Sequence, residues 1–85
     1  MRYKLPITVE GSNEIILFPT TSPLNNECCW ISLSHIKDYK AIDNNSLITF
    51  ENNETHLFPL SLQSLENQIF RATQLLLINR SRRNL

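Results

Sequence analysis

Short apolar segments, separated by asparagine-rich connections, fill the chain up to Pro59. Residues 5–9 and 14–18 are rich in Ile, Val and Phe, and the connection EGSN between them suits a hairpin. Residues 47–50 and 55–58 form a second such pair around the sequence ENNE. Asparagine tolerates left-handed backbone, so the central Asn-Asn pair can supply positive φ at both turn residues. The pattern therefore predicts two β-hairpins.

A central strand is predicted between the hairpins, at residues 28–33 with the sequence CCWISL. It follows the stretch PTTSPLNNE, whose prolines and asparagines indicate a loop. Residues 34–39 are open to two interpretations. Ile36 and Tyr39 lie three apart and suit one helical turn, while an extended continuation of the strand fits equally.

The hydrophobic period changes after Pro59 from that of a strand to that of a helix. Apolar residues recur three and four apart, at Leu62, Leu65, Ile69, Ala72 and Leu76. Ser61 is the natural N-cap, because its hydroxyl can accept a hydrogen bond from an amide of the first turn. We predict a helix from there to about Asn79.

The last turns of this helix are apolar nearly all round. Four residues widen the hydrophobic surface beyond one face: Phe70, Leu75, Leu77 and Ile78. A helix of this kind needs cover on more than one side. The sheet can supply one cover, and a second protomer or a missing segment the other, so we predict an oligomer interface at these four residues.

These elements together predict an α+β fold. We expect a small antiparallel β-sheet of about five strands, made of the two hairpins and the central strand, packed against one C-terminal amphipathic helix. The 85 residues, 41% of them hydrophobic, indicate one domain over residues 1–85, with a disordered basic tail at 80–85. The N-terminus lacks the apolar core of a secretory signal, and no apolar run approaches the length of a membrane span, so a cytoplasmic location is predicted.

Cysteine and histidine are the residues that would carry metal or thiol chemistry, at Cys28, Cys29, His35 and His56. Structural zinc sites usually bring ligands in pairs two to four residues apart, whereas neighbours on a strand point to opposite faces. No motif that would supply an oxyanion site surrounds either thiol. We predict no metal, no cofactor and no enzymatic activity. We expect the free cysteines to pack in the core as small hydrophobes, on opposite faces of the strand, with Trp30 and Ile31 as structural anchors.

Charge is distributed unevenly along the chain, although the formal net charge is zero. Residues 1–70 hold four basic and eight acidic side chains, a balance of −4, whereas residues 71–85 hold four arginines and no acid, a balance of +4. A local basic surface can attract phosphate whatever the net charge, because such attraction is screened over about 8–10 Å. A solvated, frayed terminus explains the same charges equally well.

Several separated stretches resemble one known family. SNEIILFPTTSP, CWISLSHIKDYK, ITFENNETHLFPLS and SLENQIFRATQL are similar, in order and spacing, to the C-terminal part of the ComK family of competence transcription factors. The resemblance implies a bacterial activator that binds AT-rich double-stranded DNA through the minor groove and assembles as a multimer. It also implies an adaptor for a Clp protease as a partner. Because the similarity covers the second half of the family without its C-terminal tail, we expect a truncated or N-terminally incomplete member.

Charge and position select the residues that we expect to contact DNA. They are Lys37, Lys40, Arg71, Arg80, Arg82 and Arg83. Minor-groove proteins commonly use such side chains to follow the potential of the groove and to contact the neighbouring phosphates. The alternative is an interaction or dimerisation module that associates with a full-length regulator without binding DNA.

Overall fold

The computed structural model describes residues 5–9, 14–22 and 24–83 and contains, within them, six strands and one α-helix. In chain order the elements are β1 (Ile7–Thr8), β2 (Ile16–Pro19), β3 (Trp30–Ser32), a 3-10 turn (Leu33–His35), β4 (Ile36–Ile42), β5 (Asn45–Phe50), β6 (Thr55–Phe58) and α1 (Leu62–Arg83). The α+β class is confirmed. The expected five-stranded arrangement is corrected to two antiparallel sheets of three strands each.

The first sheet has the strand order β1-β2-β3. Ile7 pairs with Leu17 and Phe18 pairs with Ile31, so the predicted first hairpin is confirmed, although its turn lies outside the described residues. The central strand is shorter than predicted, because β3 begins only at Trp30. Cys28 and Cys29 therefore belong to the preceding loop.

The late start of β3 overturns the expected core role of the cysteines and of Trp30. The Trp30 side chain is 42% exposed, Cys29 is exposed and Cys28 is half-buried, whereas Ile31 alone among β3 residues is fully buried. The Cys28 thiol donates to the Thr21 carbonyl at 3.5 Å within the loop. Ile31 is buried because its side chain shares the inner face of the sheet with that of its partner Phe18.

The second sheet is a meander of β4, β5 and β6. Its first strand resolves the ambiguity of residues 34–39: a single 3-10 turn at Leu33–His35 is followed by extended chain to Ile42. The register between β4 and β5 shifts between Ile36 and Asp38, which places a bulge at Lys37. Asp43, at φ 53°, turns the chain into β5, which begins at Asn45 rather than at the predicted residue 47.

The second predicted hairpin, β5 to β6, is confirmed with a corrected turn. The Phe50 carbonyl accepts from the Asn53 N–H at 2.8 Å, and the Phe50 N–H donates to the Glu54 carbonyl at 2.8 Å. Asn53 has φ 69°, whereas Asn52 does not adopt positive φ as predicted. A three-residue loop of this kind needs only one left-handed residue, at its last position.

One core joins both sheets to the helix. Its buried members come from β2, β3, β5, the β6–α1 connection and α1: Ile16, Phe18, Ile31, Ile48, Leu60, Leu65 and Ala72. The predicted inner face of the helix is confirmed, since Leu65 and Ala72 are buried and Ile69 and Leu76 pack against this core. The helix is longer than predicted. It continues through Arg83, so residues 80–83 are helical where a disordered tail was expected.

Candidate nucleic-acid interface

Helix α1 carries most of the predicted DNA-contacting residues, and its start is fixed by Ser61. The Ser61 Oγ accepts from the Ser64 N–H at 3.1 Å, and the Ser61 carbonyl accepts from the Leu65 N–H at 2.9 Å. This is the predicted N-cap, and it is confirmed. The cap and the buried Leu60 just before it set where the helix leaves the second sheet.

Two buried polar side chains fix which face of α1 turns outward. Gln68 Nε2 donates to the Pro19 carbonyl at 2.8 Å, and Asn79 Nδ2 donates to Thr8 Oγ1 at 2.8 Å. Both residues are buried, and they lie eleven positions apart, which is three helical turns. The same rotation is therefore held at both ends of the helix, against β1 and β2.

Arg71 and Arg82 are both exposed, and they flank the buried face of α1, each three positions after Gln68 or Asn79. They are also eleven positions apart, so they lie on one stripe with about 16 Å between them along the axis. The Arg71 guanidinium donates to Gln68 Oε1 at 3.4 Å through Nη1, which uses only one of its five N–H donors. Glu66 is the only acid in the helix sequence, and it lies before this stripe. The arrangement presents two separated cations on a surface free of helix carboxylates.

Arg80 differs from these two arginines because its side chain is already paired. The Arg80 guanidinium donates to Glu14 Oε2 through Nε at 3.2 Å and through Nη2 at 2.9 Å. The carboxylate of Glu14, which lies just before β2, therefore neutralises the charge of Arg80. Arg83 is the last residue of the helix, and its side chain lies outside the described part of the chain.

The two predicted lysines lie on the second sheet instead. Lys37 sits at the β4 bulge, and its Nζ donates to Asn53 Oδ1 at 2.7 Å. Lys40 is exposed and pairs with Leu47 on β5, on the outer face of that sheet. The predicted cations are therefore divided between two elements, the helix and β4.

Tyr39 connects these two elements. Its hydroxyl donates to Glu66 Oε2 at 3.3 Å, and it is half-buried against the core. Burial raises the pKa of Tyr39 above its ordinary value, and the nearby carboxylates of Glu66 and Asp38 raise it further because they disfavour a phenolate. The contact ties β4 to the first turns of α1.

Exposed apolar side chains lie on a different part of the α1 surface from the stripe of arginines, about 100° away around the helix axis for the neighbours Phe70 and Arg71. Phe70 is 63% exposed, and Leu77 and Ile78 are about half exposed. Leu75 differs, because it is half-buried and packs against the core. Three of the four residues named for the predicted oligomer interface are therefore exposed, and the interface itself stays a prediction.

Sequence reasoning missed a cleft between β3 and the inner face of the second sheet. The cleft has a volume of about 520 Å³. Its aromatic wall is formed by Phe50, His56 and Phe58, whose ring centroids lie 5.8 to 6.4 Å apart, and Trp30 borders it on the opposite side. In the sequence, the spacing of His56 and Phe58 two residues apart on β6 could have indicated one wall of this cleft, because such residues share a strand face.

The predicted chemical candidates do not assemble into a metal site in the part of the chain that the structure describes. No group of three or more His, Cys, Asp or Glu side chains there could hold an ion. His56 Nε2 lies 3.6 Å from Glu54 Oε1 at the exposed turn. Within the described residues, no helix is both long enough and apolar enough to cross a membrane.

Comparison with known proteins gives a consistent assignment. The profile of the family described as ComK protein matches residues 1–84. A competence transcription factor from Bacillus subtilis (strain 168) is 43% identical over 74 residues, which are 86% of this chain and 38% of that relative. The chain thus spans about two fifths of the length of this curated relative. No solved structure matches.

Proposed function

The chain belongs to the ComK family, and from this membership we propose that it is a transcription regulator that binds AT-rich double-stranded DNA. The observation that carries the proposal is the stripe of arginines on α1, where Arg71 and Arg82 are exposed about 16 Å apart. Phosphates recur along each DNA strand, so two cations at this spacing can contact the backbone on either side of a groove.

Five of the six predicted cations have different roles in this proposal. Arg71 and Arg82 act as phosphate or groove contacts, because no carboxylate contact occupies them in the described structure. Arg80 forms an ion pair with Glu14 and therefore has a structural role. Lys37 and Lys40 form a second, separate candidate on β4, where the neighbouring Asp38 reduces the local positive potential.

A titration of fluorescent AT-rich and GC-rich duplexes at two salt concentrations tests the proposal. We expect tighter binding to the AT-rich duplex and weaker binding at the higher salt concentration. The double variant Arg71→Gln, Arg82→Gln should lower the slope of log affinity against log salt by about two, roughly one for each lost phosphate contact.

Matched variants separate the candidates in the same assay. Arg80→Gln removes an equal charge from the same helix, and we expect a smaller change in the salt slope because Glu14 already neutralises that arginine. If Lys37→Gln, Lys40→Gln abolishes binding while the helix variant does not, the interface lies on β4 instead. Equal affinity for both duplexes would refute the proposed sequence preference.

A second candidate function is association with another protomer or with a full-length ComK-type regulator. The exposure of Phe70, Leu77 and Ile78 on one helix face favours it. Light scattering over a concentration series tests it, with Phe70→Gln, Leu77→Gln as the variant and Gln74→Asn, an exposed position on the same helix, as the control. A monomer at all concentrations, together with no binding to a full-length regulator, would contradict this candidate.

A further inference from the structure

The cleft beside β3 lies along the edge of that strand. Four consecutive residues line it, Cys29 to Ser32. Successive side chains of a strand point to opposite faces, so a cleft that touches four in a row must run along the backbone. β3 has β2 as its single strand neighbour within the described residues, and its other edge faces the cleft.

The hydrogen-bond pattern identifies which backbone groups face the cleft. The Thr20 N–H donates to the Cys29 carbonyl at 2.9 Å, and the Cys29 N–H donates to Thr20 Oγ1 at 3.0 Å, so both groups of Cys29 point toward β2. Directions alternate along an antiparallel strand, so Ile31 also points toward β2. The N–H and carbonyl groups of Trp30 and the N–H of Ser32 therefore point toward the cleft, whereas the Ser32 carbonyl, at the N-cap of the 3-10 turn, accepts within that turn.

The outer edge of β4 is protected, which distinguishes it from the edge of β3. On β4, the bulge at Lys37 breaks the edge, and the Tyr39 N–H is already bonded to the Asp38 carboxylate at 2.8 Å. Bulges and charged side chains of this kind prevent strand addition. At β3, by contrast, the open edge meets an aromatic wall and an exposed Trp30.

We propose that this cleft binds an extended segment of a ComK-family polypeptide from outside the stretch that this chain matches, and that the segment adds to β3 as a fourth strand of the first sheet. Backbone hydrogen bonds to Trp30 and Ser32 would supply affinity, and alternate apolar side chains would enter between the rings of Phe50, His56 and Phe58. The occupant is a family segment because the aligned stretch is only 38% of the curated relative, so more than half of that protein lies outside it. The proposal rests on family membership and does not depend on DNA binding.

The end of the cleft adds a charge requirement to the occupant. A neighbouring cavity of about 360 Å³ shares His35 and Phe50 with the cleft and is lined also by Glu51 and Asn52. The Glu51 carboxylate at this end of the cleft favours a Lys or Arg in the bound segment, at the point where that segment passes beyond the aromatic wall. The recognised chemistry is thus an alternating apolar strand followed by a basic residue.

An array of short overlapping peptides that covers the whole Bacillus subtilis relative tests the proposal, with the intact 85-residue chain as the bound protein. Trp30 is the only tryptophan, so its fluorescence reports occupancy of the cleft directly. We expect peptides from outside the aligned stretch to bind and to shift this emission. Binding only by peptides from the aligned stretch would mean that a second copy is the occupant, which overturns the proposal.

The decisive variant is Ser32→Pro, with Ser32→Ala as its control. Ser32 has φ −81° and ψ 123°, which proline adopts without strain, and proline is tolerated on an edge strand whose N–H points away from its neighbour. The proline variant should weaken peptide binding by about tenfold or more, equivalent to about 1.4 kcal/mol, while the alanine variant binds as the parent does. Equal binding by the proline variant, or no bound peptide in the array, would overturn the proposal.

Discussion

Replacing Gln68 by Met tests the contact that attaches the helix to the first sheet. Gln68 is buried, and its Nε2 donates to the carbonyl of Pro19, a residue that is itself fully buried. The register of β1 ends before this point, since Ile7 pairs with Leu17 and no residue of β1 reaches Pro19. The glutamine amide thus stands where a strand N–H would otherwise be, and methionine keeps its length and volume without the donor.

The expected loss of stability follows from the carbonyl left without a partner. A buried acceptor that loses its donor costs about 1–3 kcal/mol, so we expect a decrease of about 2 kcal/mol in the free energy of unfolding. Globular proteins have about 0.05–0.15 kcal/mol of stability per residue, or roughly 4–13 kcal/mol for a chain of 85 residues. A loss of this size is therefore a large fraction of the total, and it corresponds to a decrease in melting temperature of about 8–16 °C.

Urea denaturation followed by circular dichroism measures this loss. Gln63→Met is the matched control, because Gln63 is exposed on the same helix and should change stability by less than about 0.5 kcal/mol. If the two variants unfold with the same free energy, the Pro19 carbonyl does not depend on Gln68, and the explanation of how the helix rotation is fixed is wrong.

Three further contacts give independent predictions. Because the pKa of Tyr39 is raised in the folded state, the tyrosine's contribution to folding stability is complete below the unfolded-state pKa of about 10 and is lost as the pH rises through the folded-state pKa. The variant Glu66→Gln should lower the folded-state pKa of Tyr39, which carbon-13 NMR of the tyrosine ring measures. Ser61→Ala should cost about 1 kcal/mol in urea denaturation, because the first turn loses its N-cap, and an unchanged midpoint would contradict the capping role. A double-mutant cycle of Glu14→Gln and Arg80→Gln should give a coupling below about 1 kcal/mol that decreases with salt, since both side chains are substantially exposed; a larger, salt-independent value would show that the pair is effectively buried.

Much of the fold could be predicted from periodicity alone. The period of the helix and the short apolar runs of the hairpins are local signals, and the cap at Ser61 is a matter of a few neighbouring residues. Strand β4 was only one of two interpretations of residues 34–39, because the bulge at Lys37 breaks its alternation and exposed positions such as Asp38 and Lys40 make the segment polar. The exposure of Trp30 depends on where β3 begins, which tertiary pairing with β2 decides.

The candidate interface could be predicted only in part for a similar reason. The concentration of arginines after residue 70 is visible in the sequence, and it led to Arg71 and Arg82. The neutralisation of Arg80 by Glu14 joins residues 66 positions apart, so charge counting along the chain cannot reveal it. The cleft combines β3 with β5 and β6, and no local pattern indicates that these strands face one another.

The contacts that hold α1 to the first sheet also set an order for synthesis on the ribosome. The second sheet is a meander whose strands pair with their immediate neighbours along the chain, so it can form as soon as residue 58 has emerged. The first sheet instead depends on hydrogen bonds that span 49, 66 and 71 residues, to Gln68, Arg80 and Asn79. We expect a nascent chain stalled before Gln68 to hold a formed meander beside an unanchored N-terminal sheet, which completes only when the helix is released.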